Sequence, residues 1–341
     1  MNFFDDLFLW MQAQEAVLSG AAAAIAIAGV MSTWCLSIVQ RTGLVRHLAT
    51  FNFVERIDAL PTSEPRQEIR YTRAADGSAI AYAKSGANKG MPIVRSLGWF
   101  THLEAEWAFT QGRALWSQVG KNHPLYRYDG RGIGLSTQTS SYDTHTPLED
   151  LEAVIDAAEL EQVVLFGLSE GGMTAVQYAA KHPERVSHLI LYGTFLDVRD
   201  WPEVALERWA TLFPLMQRGW GAADPAARQL FTSLFLPDGN RAQNHYFNEM
   251  QRASCDAKQA MSYIASSIMR DASKVAAEVN VPTLVLHRQG DLCVPVEAGR
   301  AVAETIPTAQ LELLPGNNHW MLALEQDSER VIESIEKFIR K

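Results

Sequence analysis

Apolar and polar positions divide this chain of 341 residues into stretches of different pattern. From Val17 to Val39 no charged residue occurs, and small aliphatic side chains dominate. The run is about 23 residues long, enough to cross the hydrocarbon core of a bilayer as a helix. Gly20, Ala24, Ala28 and Ser32 recur every fourth residue, a small-residue stripe along which two such helices can approach closely. Asp5, Asp6 and Glu15 precede the run, whereas Arg41, Arg46 and His47 follow it. The basic start of a secretory signal is therefore missing, and the charge asymmetry places the downstream part on the cytoplasmic side. The pattern predicts a membrane anchor over residues 17–39, with a buried helix of a soluble homo-oligomer as the other reading. Residues 1–68 are then this anchor plus a helical connector from Arg41 to Glu68, broken at Pro61 and Pro65.

Beyond that point strand-like and helix-like segments alternate. Ile69–Arg73 and Ile80–Lys84 flank Asp76-Gly77, a hairpin turn signal. Pro92–Leu97, Leu125–Tyr128, Val163–Phe166, His188–Tyr192, Thr283–His287 and Gln310–Leu314 read as short apolar strands. Gly112–Lys121, Leu148–Glu159 and Glu325–Arg340 carry apolar residues at helical spacing. An antiparallel start followed by strand–helix units predicts an α/β domain over residues 69–341, with a mostly parallel sheet and helices on both faces. One block breaks the alternation. Between about residues 196 and 280 no strand is evident, yet Trp201, Trp209, Phe213, Trp220, Phe231, Phe235, Tyr246, Phe247 and Tyr263 all fall there. An aromatic helical insertion after a central strand predicts a lid over a pocket.

Composition narrows the function. The net charge is −9, and no block of Lys or Arg stands out, which argues against a nucleic-acid partner. Cys35, Cys255 and Cys293 are far apart and odd in number, so they imply neither a disulfide framework nor a zinc site. No metal cluster, phosphate-binding loop or dinucleotide fingerprint appears, so no metal and no cofactor is expected. Gly130 to Gly134 is glycine-rich, but no helix start follows it, and a structural turn is the better reading.

The candidate chemistry lies in Val163-Val164-Leu165-Phe166-Gly167-Leu168-Ser169-Glu170-Gly171-Gly172, an apolar strand, a Gly-x-Ser-x-Gly turn and a small-residue helix start. A serine hydroxyl becomes a nucleophile only when a base takes its proton and the backbone aims it outward. The base needs a histidine, and the histidine needs an acid to hold its tautomer. Asp291 follows the strand ending at His287, and His319 follows the last strand, in the chain order Ser, Asp, His. Ser169, Asp291 and His319 are therefore the candidate nucleophile, acid and base. An oxyanion needs backbone N–H donors. The N–H of Glu170 and that of Trp99, freed by Gly98, are the candidates, and Gly98 and His102 on the same loop are candidate pocket residues.

Together these residues resemble the α/β-hydrolase superfamily from about Ile69 to the C-terminus. The elbow, the Tyr128-Asp129-Gly130-Arg131-Gly132-Ile133-Gly134-Leu135-Ser136 loop, Gly290-Asp291 and Asn318-His319 all stand where that family has them. The resemblance implies Ser169, Asp291 and His319 as a triad. A narrower resemblance, carried by Val94–Glu104 and Arg228–Phe235, is to bacterial hydrolase domains fused to nucleotide cyclases or helix-turn-helix regulators. Two departures stand out. Leu97-Gly98 replaces the family's His-Gly, and the companion segment is an apolar helix rather than a cyclase or DNA-binding unit. The expected function is a membrane-tethered serine hydrolase cleaving a small-molecule ester of an apolar acyl group, with Glu170 repelling anionic substrates if its side chain faces the pocket. The alternative is a small-ligand sensor with little turnover.

Overall fold

The computed structural model describes residues 66–139, 142–321 and 328–341. The expected anchor over 17–39 and the connector up to residue 65 lie outside the described residues. Among the described residues no helix is long and apolar enough to cross a membrane.

Eight strands form one sheet: β1 (Glu68–Arg73), β2 (Ala79–Gly86), β3 (Ile93–Ser96), β4 (Pro124–Tyr128), β5 (Val163–Leu168), β6 (Val186–Tyr192), β7 (Thr283–Arg288) and β8 (Ala309–Leu314). Their order is β1-β2-β4-β3-β5-β6-β7-β8. The β1–β2 and β2–β4 pairs are antiparallel, and every later pair is parallel. The hairpin turn at Asp76-Gly77 forms as its sequence predicts, with Gly77 at φ 87°. Each predicted strand is present within about two residues of its expected limits, the central ones as buried aliphatic runs and the edge strands β1 and β8 mostly exposed or half-buried. All residues of β3, β4, β5 and β7 are buried, which puts the core along the middle of the sheet.

The order of the central strands positions the site. From β3 the chain crosses to β4 on one side, then returns past β3 to β5 on the other. The loops leaving β3 and β5 therefore part in opposite directions at their carboxyl ends, the place where such sheets bind ligands. The crossovers are α1 (Leu103–Ala108) with α2 (Thr110–Val119), then α3 (Thr146–Ala157). α4 (Gly171–Lys181) follows β5, α10 (Val296–Thr305) follows β7, and α11 (Ser328–Ile339) closes the chain.

Between β6 and β7 lie α5 (Glu203–Gly219), α6 (Ala226–Phe235), α7 (Arg241–Ser254), α8 (Ala257–Met269) and the single turn α9 (Ser273–Ala276). This is the strand-free block expected from sequence. Its aromatic rings do not form a separate core. Trp209, Trp220, Phe231 and Phe235 all pack around Trp99, with ring centroids 4.8–6.4 Å away. Trp99 belongs to the loop after β3, so the insertion shares its core with the carboxyl edge of the sheet.

A buried charge cluster fastens α1 to the central strands. Glu106 lies between Arg95 of β3 and Arg127 of β4, each at 2.5 Å. The guanidinium groups in turn lie over Trp116 and Trp107, 4.7 Å from each ring centre. Burial pushes the Glu106 carboxyl up, but the two guanidinium groups outweigh it and hold it below its ordinary range. Removing this carboxylate would strand two buried cations. Glu106→Ala is therefore expected to lower unfolding stability by about 3–5 kcal/mol, read as a lower urea midpoint at an unchanged slope.

Candidate active site

Only Ser169 and Glu170 separate the end of β5 from the start of α4. Ser169 has φ 53°, a left-handed conformation that side-chain-bearing residues seldom adopt. Neighbouring groups hold it there. Its N–H donates to the Tyr192 carbonyl at 2.8 Å, and its own carbonyl accepts from the Gly172 N–H at 2.9 Å and the Thr194 hydroxyl at 2.6 Å. The glycines of the motif serve close approach rather than the turn angle. A Cβ on Gly171 would collide with the Leu97 carbonyl, one on Gly172 with the Thr194 side chain, and one on Gly167 would come within 2.7 Å of the Gly172 Cα.

The loops after β7 and β8 bring Asp291 and His319 together. His319 Nδ1 lies 2.6 Å from Asp291 Oδ2, and both side chains are about 1% exposed. Asp291 Oδ1 accepts from the Cys293 and Val294 N–H groups at 2.8 and 2.9 Å. One carboxylate oxygen is thus fixed by backbone, and the other holds the imidazole in the tautomer with Nδ1 protonated. The His319 ring lies against Gly193, where an added Cβ would be 3.0 Å from its Cε1. Gly193 is flanked by Tyr192 and Thr194, the two residues that grip Ser169. His319 Nε2 is buried and has no hydrogen-bond partner among the described residues. The serine–histidine hydrogen bond expected from sequence is therefore not formed here, a separation common in unliganded sites, where such bonds close around the substrate.

The expected oxyanion donors lie on the two loops that part at the carboxyl ends of β3 and β5. Among the described residues neither the Trp99 nor the Glu170 N–H donates to a backbone carbonyl, and the Trp99 N–H faces the Tyr263 hydroxyl. The expectation that Gly98 supplies backbone freedom needs correction. Trp99 itself has φ 61°, and Gly98 is needed because a Cβ would strike the Leu168 carbonyl. His102 is engaged elsewhere, as the cap of α1, with its Nδ1 accepting from the Ala105 N–H at 3.4 Å. The Glu170 carboxylate is not an open repelling charge, because Arg270 and the Tyr263 hydroxyl both bind it. His287 is fully buried beneath Asp291, bonded to the Val294 carbonyl at 3.0 Å, as a core histidine should be.

The roles of four residues of this region escape a reading of the sequence alone. Asp129, buried after β4, accepts from the Thr101 hydroxyl at 2.7 Å and from the Leu103 and Leu135 N–H groups at 3.0 Å, and so anchors the loop that carries Trp99. Burial pushes its carboxyl up, and these hydrogen bonds oppose that rise. Thr194 follows β6 beside the elbow, and the convergence of loops at one edge of a parallel sheet could have pointed to it. Tyr263 and Arg270 lie some 90 residues or more beyond Glu170 on the inserted helices, with no local signal.

The family model for the alpha/beta hydrolase fold matches residues 104–326. The chain is 25% identical over 292 residues to non-heme chloroperoxidase CPO-A1 of Kitasatospora aureofaciens, covering 78% of this chain and 98% of that protein. It is 26% identical over 242 residues to proline iminopeptidase PfmaB of Pestalotiopsis fici, covering 66% and 84%. The esterase RhEst1 of a Rhodococcus species superposes with a TM-score of 0.68 at 23% identity, over 80% of this chain and 98% of that one, a likeness of fold. With the strand order, the elbow and the extent of this match in agreement, the chain belongs to the alpha/beta hydrolase fold family.

Proposed function

We propose that this protein is a serine hydrolase that cleaves an ester of an apolar acyl group through an acyl-enzyme on Ser169. The observation that carries this reading is the buried Asp291–His319 pair, whose second imidazole nitrogen has no partner among the described residues, together with a serine held at positive φ in the elbow after β5. Ser169 Oγ attacks the ester carbonyl as His319 Nε2 takes its proton. The charge that develops on the carbonyl oxygen is met by the N–H groups of Glu170 and Trp99. His319 then protonates the departing alcohol. In the second half it deprotonates water, which releases the acid and restores the serine. Asp291 stabilises the imidazolium in both halves.

The aromatic surroundings support an apolar acyl group. Phe235 meets the His319 ring edge-on at 5.3 Å, and the cluster around Trp99 continues from it. Ser169 is only 5% exposed. On this reading the helices α5 to α8 act as a lid that moves aside to admit substrate. The apolar run over residues 17–39, read from sequence alone, would tether this unit to the cytoplasmic face of a membrane.

Ser169→Ala is expected to abolish both labelling by a fluorophosphonate probe and turnover of p-nitrophenyl esters, with the melting temperature preserved. The wild-type protein should favour butyrate and longer acyl chains over acetate by kcat/KM. Tight binding of these esters with no serine-dependent turnover would instead mark a ligand sensor. Asp291→Asn should lower kcat by roughly 10³–10⁴ with little change in KM, because an amide facing Nδ1 favours the wrong imidazole tautomer. In cell fractionation the full-length chain should stay with membranes through an alkaline carbonate wash, and its release by the wash would refute the anchor.

A further inference from the structure

A carboxylate one residue beyond the nucleophile is an awkward feature for acyl transfer. Negative charge builds on the carbonyl oxygen in the transition state, and the oxyanion site proposed above uses the backbone of Glu170 itself. A carboxylate that close, shielded from water, raises the barrier by opposing that charge. Glu170 is only 5% exposed, so solvent does little to screen it.

The inserted helices supply two partners. Arg270, the residue that ends α8, reaches the elbow and pairs with Glu170 Oε1. Its Nη1 also donates to the Thr174 hydroxyl in the first turns of α4, at 2.9 Å, which fixes the guanidinium against the helix behind the nucleophile. Tyr263, two turns earlier on α8, donates its hydroxyl to Glu170 Oε2. Its ring is wedged between Phe100 and Tyr142, with centroids 5.1 and 5.3 Å away. Both partners are buried. Each carboxylate oxygen of Glu170 is therefore engaged, one by a cation and one by a phenol, and both partners come from the same helix.

We propose that Arg270 is a positioning residue for catalysis, which cancels the charge of Glu170 at the oxyanion site and so makes an acidic residue beside Ser169 compatible with turnover. The inference rests on the reading of Ser169 as nucleophile. Arg270 touches neither substrate nor nucleophile, and it acts through Glu170. A mere helix clamp would make the same contacts, and it differs in having no consequence that depends on pH.

The pH consequence follows from the sign of the charge. Without Arg270, a buried Glu170 carboxyl favours its neutral form and its pKa rises. Below that pKa Glu170 carries no charge and the reaction is unharmed. Above it the uncompensated carboxylate appears and the rate falls. The other ionisable groups facing this cluster are Tyr263 on α8, Tyr142 ahead of α3, Tyr128 of β4 and Cys255 between α7 and α8. Burial pushes the phenols up, Tyr128 to about 12 and Tyr142 and Tyr263 well above their ordinary value, and it raises the Cys255 thiol likewise. These groups stay neutral through the range of the test, and His319 is common to every variant.

The test is the pH profile of kcat between pH 5.5 and 9.5 on a p-nitrophenyl ester, for wild type, Arg270→Gln, Arg270→Lys and the double variant Glu170→Gln/Arg270→Gln, all in the full chain. The ratio of Arg270→Gln to wild type should fall with rising pH, to a loss on the order of 10- to 100-fold at the alkaline end for a single charge at an effective dielectric near 20. Arg270→Lys, which keeps the charge, should follow the wild-type profile. The double variant should lose the fall. A loss in Arg270→Gln that is the same at every pH, or a fall that persists in the double variant, would overturn the inference. Should Arg270→Gln not fold, Glu170→Gln alone decides, since it leaves the Arg270 charge unopposed beside the oxyanion. A kcat at or above wild type supports the inference, and a reduced kcat refutes it. Ser169-dependent turnover of the wild type is measured first. Its absence defeats the reading of the site and the inference with it, whereas a wrong pH pattern in an active enzyme defeats the inference alone.

Discussion

The close approach of two backbone segments governs this structure. The loop after β3 and the elbow after β5 touch along Leu97-Gly98 and Leu168–Gly171, near enough that a single methyl group on Gly98 or Gly171 would strike a carbonyl oxygen of the other segment. The contact exists because β3 and β5 are adjacent parallel strands whose chains leave in opposite directions. It sets Trp99 and Glu170, the two candidate oxyanion donors, on neighbouring segments, with Ser169 at φ 53° between β5 and α4. The positive φ of Ser169 and of Trp99 are two results of this one constraint, both held by surrounding hydrogen bonds and packing rather than by local preference.

That arrangement is fixed from below by buried charge. Asp129 ties the loop after β3 to the turn after β4, and the Arg95–Glu106–Arg127 cluster ties α1 to the strands on which that loop depends. Such groups cost free energy to desolvate, and they are tolerable only because each has several partners in fixed directions. Their value to the site is geometric. A donor displaced by a fraction of an ångström from a developing oxyanion loses much of its effect, and apolar packing alone defines direction poorly.

The inserted helices meet the carboxyl edge of the sheet through two kinds of contact. Their aromatic rings share a core with Trp99, and two of their polar side chains fasten onto the residue after the nucleophile.

The sequence alone determined the alternation of strands and helices, the parallel character of the sheet, and Ser169, Asp291 and His319 as the candidates for chemistry. These are local facts: buried aliphatic runs, a strand–turn–helix motif, and loops that follow strands. The sheet order, with β4 outside β3, was decided by tertiary packing, because no short-range pattern records which strand lies beside which. The same is true of the charge around Ser169. Glu170 read alone is a repelling carboxylate, and only the fold brings Arg270 and Tyr263 across some 90 residues to meet it. His102 and Gly98 make the point in reverse. A histidine on the loop after β3 becomes a helix cap, and a glycine expected to bend the chain serves to let two carbonyl-bearing segments meet, because what a residue does there depends on what the fold packs against it.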